Sequence, residues 1–134
     1  MSVTVGVDLV HVPSFAAQLE DRASAFESVT FSEQERAYAR EASSRQPARH
    51  LAARYAAKEA TLKALDHAAA LRAVEPPRVE PGAIEVLRDA RGRPSLALHG
   101  AAAELAERLG VERASISLSH DGDYALAFVT LTLG

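Results

Sequence analysis

Two carboxylates and two lysines stand out by where they fall in the sequence. Asp8 lies inside Val3–Val10, an alternating run of β-branched residues that reads as a strand, where aspartate is disfavoured. Val3, Val5, Val7 and Leu9 share one face of that strand, and Thr4, Gly6, Asp8 and Val10 share the other. A half-buried carboxylate there must be paired or metal-bound; as a strand-end residue, Asp8 can equally cap the next turn. Glu59 follows Tyr55 by four and precedes Leu62 by three, so it falls on the line Leu51–Tyr55–Leu62, read as the apolar stripe of a long helix. Glutamate there is either placed for chemistry or neutralised by Lys63, four residues on. The chain has 13 arginines but only two lysines, Lys58 and Lys63, and both flank Glu59. A compact, movable ammonium suits phosphate contact or proton transfer better than a guanidinium does. Magnesium is a hard ion held by one or two carboxylates with substrate phosphates and water. Nearby cations would neutralise the remaining phosphate charge. The chemistry these residues allow is metal-assisted work on a phosphate ester.

The cations are clustered. From Arg36 to Lys63 the chain holds seven basic residues (Arg36, Arg40, Arg45, Arg49, Arg54, Lys58, Lys63) against two acidic ones, on a protein of net charge −3. Such a segment is either a solvated helix face or a surface for an anionic partner. The overall charge gives no sign of nucleic acid. No run approaches the roughly 20 apolar residues of a membrane span, and Met1–Val10 lacks a basic leader region. With no cysteine there are no disulfides or thiolate metal sites, which is compatible with a cytoplasmic location. The 28 alanines and 5% aromatics make the bulky core residues few, so burial gained by association with copies of itself is an expectation.

The elements that must position these residues form one domain spanning residues 1–134. After the first strand, Pro13–Leu19 reads as a short helix. Ser32 and Glu35 fit a capping box opening a helix to about Arg40, and a longer helix starts at Pro47 and runs to about Leu65. Ala73–Gly82, with Pro76, Pro77 and Pro81, reads as a loop. Ile84–Arg88 and Ser95–Leu98 read as strands joined through Arg91-Gly92-Arg93-Pro94. Gly100–Leu109 is a helix stopped by Gly110, and Ala114–His120 and Tyr124–Leu133 are strands joined through Asp121-Gly122. The order βαααββαββ implies an α+β fold with a largely antiparallel sheet packed on helices.

Three blocks resemble the holo-acyl-carrier-protein synthase family of 4′-phosphopantetheinyl transferases. Gly6-Val7-Asp8-Leu9-Val10 is similar to its G-[IV]-D-[IL]-V strand. Arg54-Tyr55-Ala56-Ala57-Lys58-Glu59-Ala60, with Lys63 following, is similar to its R-[FWY]-A-[AV]-K-E-A-x-x-K helix. Ser117-Leu118-Ser119-His120-Asp121-Gly122-Asp123-Tyr124-Ala125 is similar to its S-[IL]-[ST]-H-x-x-x-Y-A hairpin, and Gly92-Arg93-Pro94 echoes a G-[KR]-P turn. The blocks fall in order and span nearly the whole chain. The departure follows Lys63: many members have a G-T-G-[IL]-like loop there, whereas this chain reads Leu65-Asp66-His67-Ala68-Ala69-Ala70.

The resemblance implies a homotrimer with active sites between subunits. It makes Asp8 and Glu59 the magnesium ligands and Lys63 the lysine at the reacting phosphate. Arg54, Gly92, Arg93, Pro94, Ser119 and His120 would line the coenzyme A site; for His120, an exposed turn residue is the alternative. The implied reaction is attack by a serine hydroxyl of an apo acyl-carrier protein on the phosphorus attached to pantetheine, releasing adenosine 3′,5′-bisphosphate. Glu59 and a water held by the metal are the candidates for taking the serine proton. Arg36, Arg40, Arg45 and Arg49 would meet the acidic helix of the carrier. The rival readings are a non-catalytic module that binds coenzyme A or carriers and a magnesium-dependent phosphate-ester hydrolase.

Overall fold

The computed structural model describes residues 1–21, 24–41 and 46–134; Arg45 of the basic segment lies outside them. Strand β1 (Ser2–His11) leads into helix α1 (Val12–Leu19), followed by α2 (Phe26–Thr30), α3 (Glu33–Glu41) and the long α4 (Pro47–Leu71). A 3₁₀ turn at Pro81–Ala83 precedes β2 (Ile84–Arg88), β3 (Pro94–Leu98), α5 (Gly100–Leu109), β4 (Val111–Asp121) and β5 (Tyr124–Leu133). The strands make two antiparallel sheets, β1-β5-β4 and the hairpin β2-β3, where the sequence suggested one. The sequence also missed α2, whose five residues are too few to show a period. No helix among the described residues is long and apolar enough to cross a membrane.

Helix α4 is the axis of the fold, and of the stripe read from its sequence only Leu51 is fully buried. Its buried side is the alanine side, with Ala52, Ala53, Ala56, Ala57, Ala60, Ala64 and Ala68 all at most 6% exposed. Tyr55, Glu59 and Leu62 are only partly buried and lie on the opposite side. Small side chains permit this inversion because the sheet backbone comes very close: a Cβ added at Gly6 would stand 1.8 Å from the Ala60 carbonyl oxygen. Alanine therefore faces the sheet where the stripe argument expected bulk. The helix also runs past Leu65 to Leu71, since alanine has the highest helix propensity. It ends where Ala73 takes φ 53 and the Val74 amide donates to Ala69 O at 2.9 Å.

The capping box is present: Ser32 N donates to Glu35 Oε1 at 2.9 Å, and Glu35 N donates to Ser32 Oγ at 3.1 Å. The buried Glu35 carboxylate does more than cap. It accepts from Lys58 Nζ at 2.9 Å and from Val86 N at 3.1 Å, and Lys58 also donates to the Ile84 carbonyl. Burial pushes the Lys58 ammonium below its usual range, while the Glu35 charge opposes that shift. Lys58 thus locks α4 to α3 and β2, and of the two lysines only Lys63 faces solvent.

The β4–β5 turn is shifted by one residue. Asp121 pairs with Tyr124, leaving Gly122-Asp123 as the loop, with Gly122 at φ 55 in the first position, where a tight hairpin prefers glycine. The outer face of β1-β5-β4 is apolar yet uncovered: Val3, Val5, Val7, Leu9, Leu126 and Phe128 are each 37–60% exposed.

Candidate active site

Strand β1 and helix α4 set the geometry of the two carboxylates by running past each other in register. Thr4 Oγ1 donates to Ala64 O at 2.9 Å, and Gly6 abuts Ala60. Two residues of strand advance about 6.7 Å and four residues of helix about 6 Å, so each step along one chain matches a turn of the other. Asp8, the next residue on that face, arrives beside Tyr55 and Glu59. All three line one groove of ≈ 370 Å³ with His11, Ser14 and Gln18. The Tyr55 hydroxyl is held above its usual pKa by burial first, then by the Glu59 and Asp8 charges, so both carboxylates act at one point. Phe15 and Phe26 pack on the Tyr55 ring, each with centroids 5.5 Å away, and fix that wall.

Lys63 reaches across from the next turn of α4. Its Nζ donates to Asp8 Oδ1 at 3.0 Å and to Val7 O at 2.9 Å, with the lysine side chain 56% exposed. The possible metal donors are thus two carboxylates, one of them paired with an exposed ammonium. Among the described residues no cluster of three or more histidine, aspartate or glutamate side chains forms a closed metal cage. Two carboxylates in one groove are a donor set that fits magnesium, which completes its shell with phosphate and water.

A second pocket, ≈ 640 Å³, opens between α4, the β2–β3 turn and β4. It gathers Arg54, Gly92, Arg93, Pro94 and His120, which the resemblance assigned to the coenzyme A site, together with Arg49, expected at the carrier surface; Ile116, Leu118 and Ala53 form an apolar wall. Asp89 builds the turn by accepting from Arg91 N at 2.8 Å and from Arg93 N at 2.9 Å, and it pairs with Arg93 Nε at 2.6 Å. His50, Arg88 and Tyr38 also line the pocket, and sequence reasoning missed them. Arg88 enters only because it pairs with Pro94 across the hairpin, a relation that register shows and local pattern does not.

The pocket is cationic and unsatisfied. Arg49, Arg54 and Arg88 each bury Nε, and His50 buries Nε2, with no hydrogen-bond partner among the described residues. Burial, and then Arg54 and Arg88, push the His50 pKa down, so it stays neutral among the guanidiniums. Arg49 contacts His120 Nδ1. An anionic group would satisfy these donors.

Four other candidate residues lie outside this pocket, two of them, Arg36 and Arg40, having been expected at a carrier surface. Ser119 is on the opposite face of β4 from His120, in a row with Leu126 and Leu9 on the uncovered apolar face. Lys63 stands with the carboxylates and not in the cationic pocket. On α3, Arg36 is partly buried and Arg40 is exposed. Arg54 and Glu59 are five residues apart on α4, about 140° around its axis, so the two pockets of one chain face different ways.

The family model described as the 4′-phosphopantetheinyl transferase superfamily matches residues 4–129. The chain belongs to this superfamily. Within it, the holo-[acyl-carrier-protein] synthase of Nocardia farcinica is 44% identical over 130 residues, 95% of this chain and 85% of that one. The synthase of the same name from Corynebacterium glutamicum is 42% identical over 137 residues, 98% of each chain. Among solved phosphopantetheinyl transferases, the ACPS–CoA complex of Chronobacterium ammoniagenes has a TM-score of 0.82 at 42% identity, covering 100% of this chain and 99% of that one. The acyl carrier protein synthase of Mycobacterium tuberculosis has a TM-score of 0.73 at 40% identity, covering 99% and 100%.

Proposed function

We propose that this transferase moves 4′-phosphopantetheine from coenzyme A to a serine of an apo acyl-carrier protein or carrier domain, with adenosine 3′,5′-bisphosphate as the other product. The observation that carries this reading is the division of labour between the pockets: one has two carboxylates and a lysine paired with one of them, the other buried cationic donors without partners among the described residues. Coenzyme A has phosphate groups at two separate places and would occupy both. Relatives named for this reaction, and one solved with coenzyme A, match essentially the whole chain.

Asp8 and Glu59 would hold magnesium, which when bound supplies positive charge at the pyrophosphate. Lys63, exposed and bonded to Asp8 and the Val7 carbonyl, would turn to a phosphate oxygen and share the charge that develops there. Glu59 is the protein side chain that would take the serine proton, with a water held by the metal as the alternative. Arg54, with Gly92, Arg93, Pro94 and His120, would hold the nucleotide end.

The two pockets diverge on one chain, so the complete site forms between copies. The uncovered face bearing Val3, Val5, Val7, Leu9, Leu126 and Phe128 is the surface for that contact, and Ser119 would join a neighbour's site there. A homotrimer satisfies both features, each copy acting as one domain over residues 1–134. Arg36, Arg40, Arg45 and Arg49 would meet the acidic carrier, and the setting is the cytoplasm, where coenzyme A and carriers for fatty-acid synthesis occur.

Intact-mass measurement on an apo carrier incubated with the protein, coenzyme A and magnesium tests the reading. The expected result is a phosphopantetheine mass on the carrier, lost on chelation. Release of phosphopantetheine without a carrier would point to a hydrolase. Coenzyme A binding without transfer would point to a non-catalytic module.

A further inference from the structure

The cationic pocket contains two residues that the coenzyme A reading leaves unused, Arg88 and Tyr38. Arg88 ends β2, and its guanidinium donates to the Gly92 carbonyl of the turn. The same guanidinium lies over the Tyr38 ring, 4.9 Å from its centroid, and that of Arg54 lies over this ring at 4.3 Å. Three elements, α3, α4 and β2, thus bring two guanidiniums onto one aromatic platform. Among the described residues, the Nε of each is buried with no hydrogen-bond partner and neither guanidinium forms an ion pair. Arg93, by contrast, is already paired with Asp89.

Two like charges on one ring repel, and a ring face offsets each by only about 0.5–2 kcal/mol. Burial lowers the Arg54 pKa, and the Arg88 charge lowers it further. The pair is completed by an anion with charge and oxygens enough for two planar donors. A phosphate monoester carries about −1.5 to −2 at neutral pH and presents three acceptor oxygens. A diester phosphate carries a single charge. Guanidiniums grip such oxygens in pairs.

We propose that Arg88, seated with Arg54 on Tyr38, is a specificity residue that selects donors bearing a terminal phosphate monoester. The proposal rests on the coenzyme A reading, because the ribose phosphate is the one monoester in coenzyme A. Tyr38 is a positioning residue, whose ring sets the two guanidinium planes.

Calorimetric titration of coenzyme A and of dephospho-coenzyme A into the unaltered protein and into Arg88→Gln, Tyr38→Leu and Tyr38→Phe separates the roles. The unaltered protein should prefer coenzyme A, and Arg88→Gln should weaken that donor about 10- to 100-fold and collapse the preference. Tyr38→Leu should act in the same direction, while Tyr38→Phe, which keeps the ring, should retain the preference. Equal weakening toward both donors, no weakening, or no preference in the unaltered protein overturns the proposal. Binding is read directly, so a protein that showed this pattern but moved no group to a carrier would count against the reaction alone.

Discussion

Replacing Gly6 with alanine tests whether close contact between β1 and α4 positions the site. Gly6 lies in a regular strand and is not among the positive-φ glycines, so alanine fits its backbone. In a strand free of contacts the change would be neutral or stabilising by up to about 1 kcal/mol. Here the new methyl would meet the Ala60 carbonyl oxygen at 1.8 Å and the Ala60 carbonyl carbon at 2.8 Å, against about 3.4 Å for ordinary contact. Both partners are backbone, so strand and helix must separate by roughly 1.5 Å. Overpacking of that kind costs about 1–3 kcal/mol, equivalent to a Tm lower by roughly 5–15 °C for a chain of this size. The same displacement moves Asp8 on β1 away from Glu59 on α4, and a 1 Å misplacement in a reacting site can cost about 100-fold in rate. Thermal melts and the carrier mass-gain assay read the two effects separately. Gly6→Ala with unaltered Tm and rate would refute the register argument for the site.

The Lys58→Met variant, which strands the buried Glu35 carboxylate, should lose about 3–5 kcal/mol of stability in urea titration, whereas Lys63→Met should barely change stability while lowering transfer; equal effects would contradict the division between the lysines. Glu85 is held below its usual pKa of 4.5, first by the Ser32 hydroxyl and also by His99. A depressed carboxyl stabilises above its unfolded pKa and loses that contribution as pH falls through the folded value. The Tm gap between the unaltered protein and Glu85→Gln should therefore narrow below about pH 4.5, and a pH-independent gap would refute the assignment. Charge reversal at Arg36 or Arg40 should raise KM for the carrier and flatten its salt dependence. Unchanged kinetics would place carrier docking elsewhere.

The parts of the fold that were legible in the sequence are those fixed by local chemistry. Ser32 and Glu35 announced a helix start, Gly110 a helix end, and alternation marked β1, β4 and β5. Alanine defeated the stripe argument: it carries little hydrophobic signal, yet it forms the buried side of α4 because only a small residue lets the sheet backbone approach. Glu59 was thus singled out from a stripe of which Leu51 is buried but Tyr55 and Leu62 are only partly so. Its neighbourhood with Asp8 follows instead from the β1–α4 register. His50, Arg88 and Tyr38 were invisible because what unites them is packing between three elements, with no common spacing in sequence.

The central claim is that Asp8 and Glu59 together make the magnesium-dependent transfer site. The most direct measurement is the intact mass of an apo carrier after incubation with coenzyme A, magnesium and Asp8→Ala or Glu59→Ala, alongside a melt of each variant. The expected result is no phosphopantetheine on the carrier from either variant, with both melting as cooperatively as the unaltered protein. Transfer at the unaltered rate by both folded variants would contradict the claim.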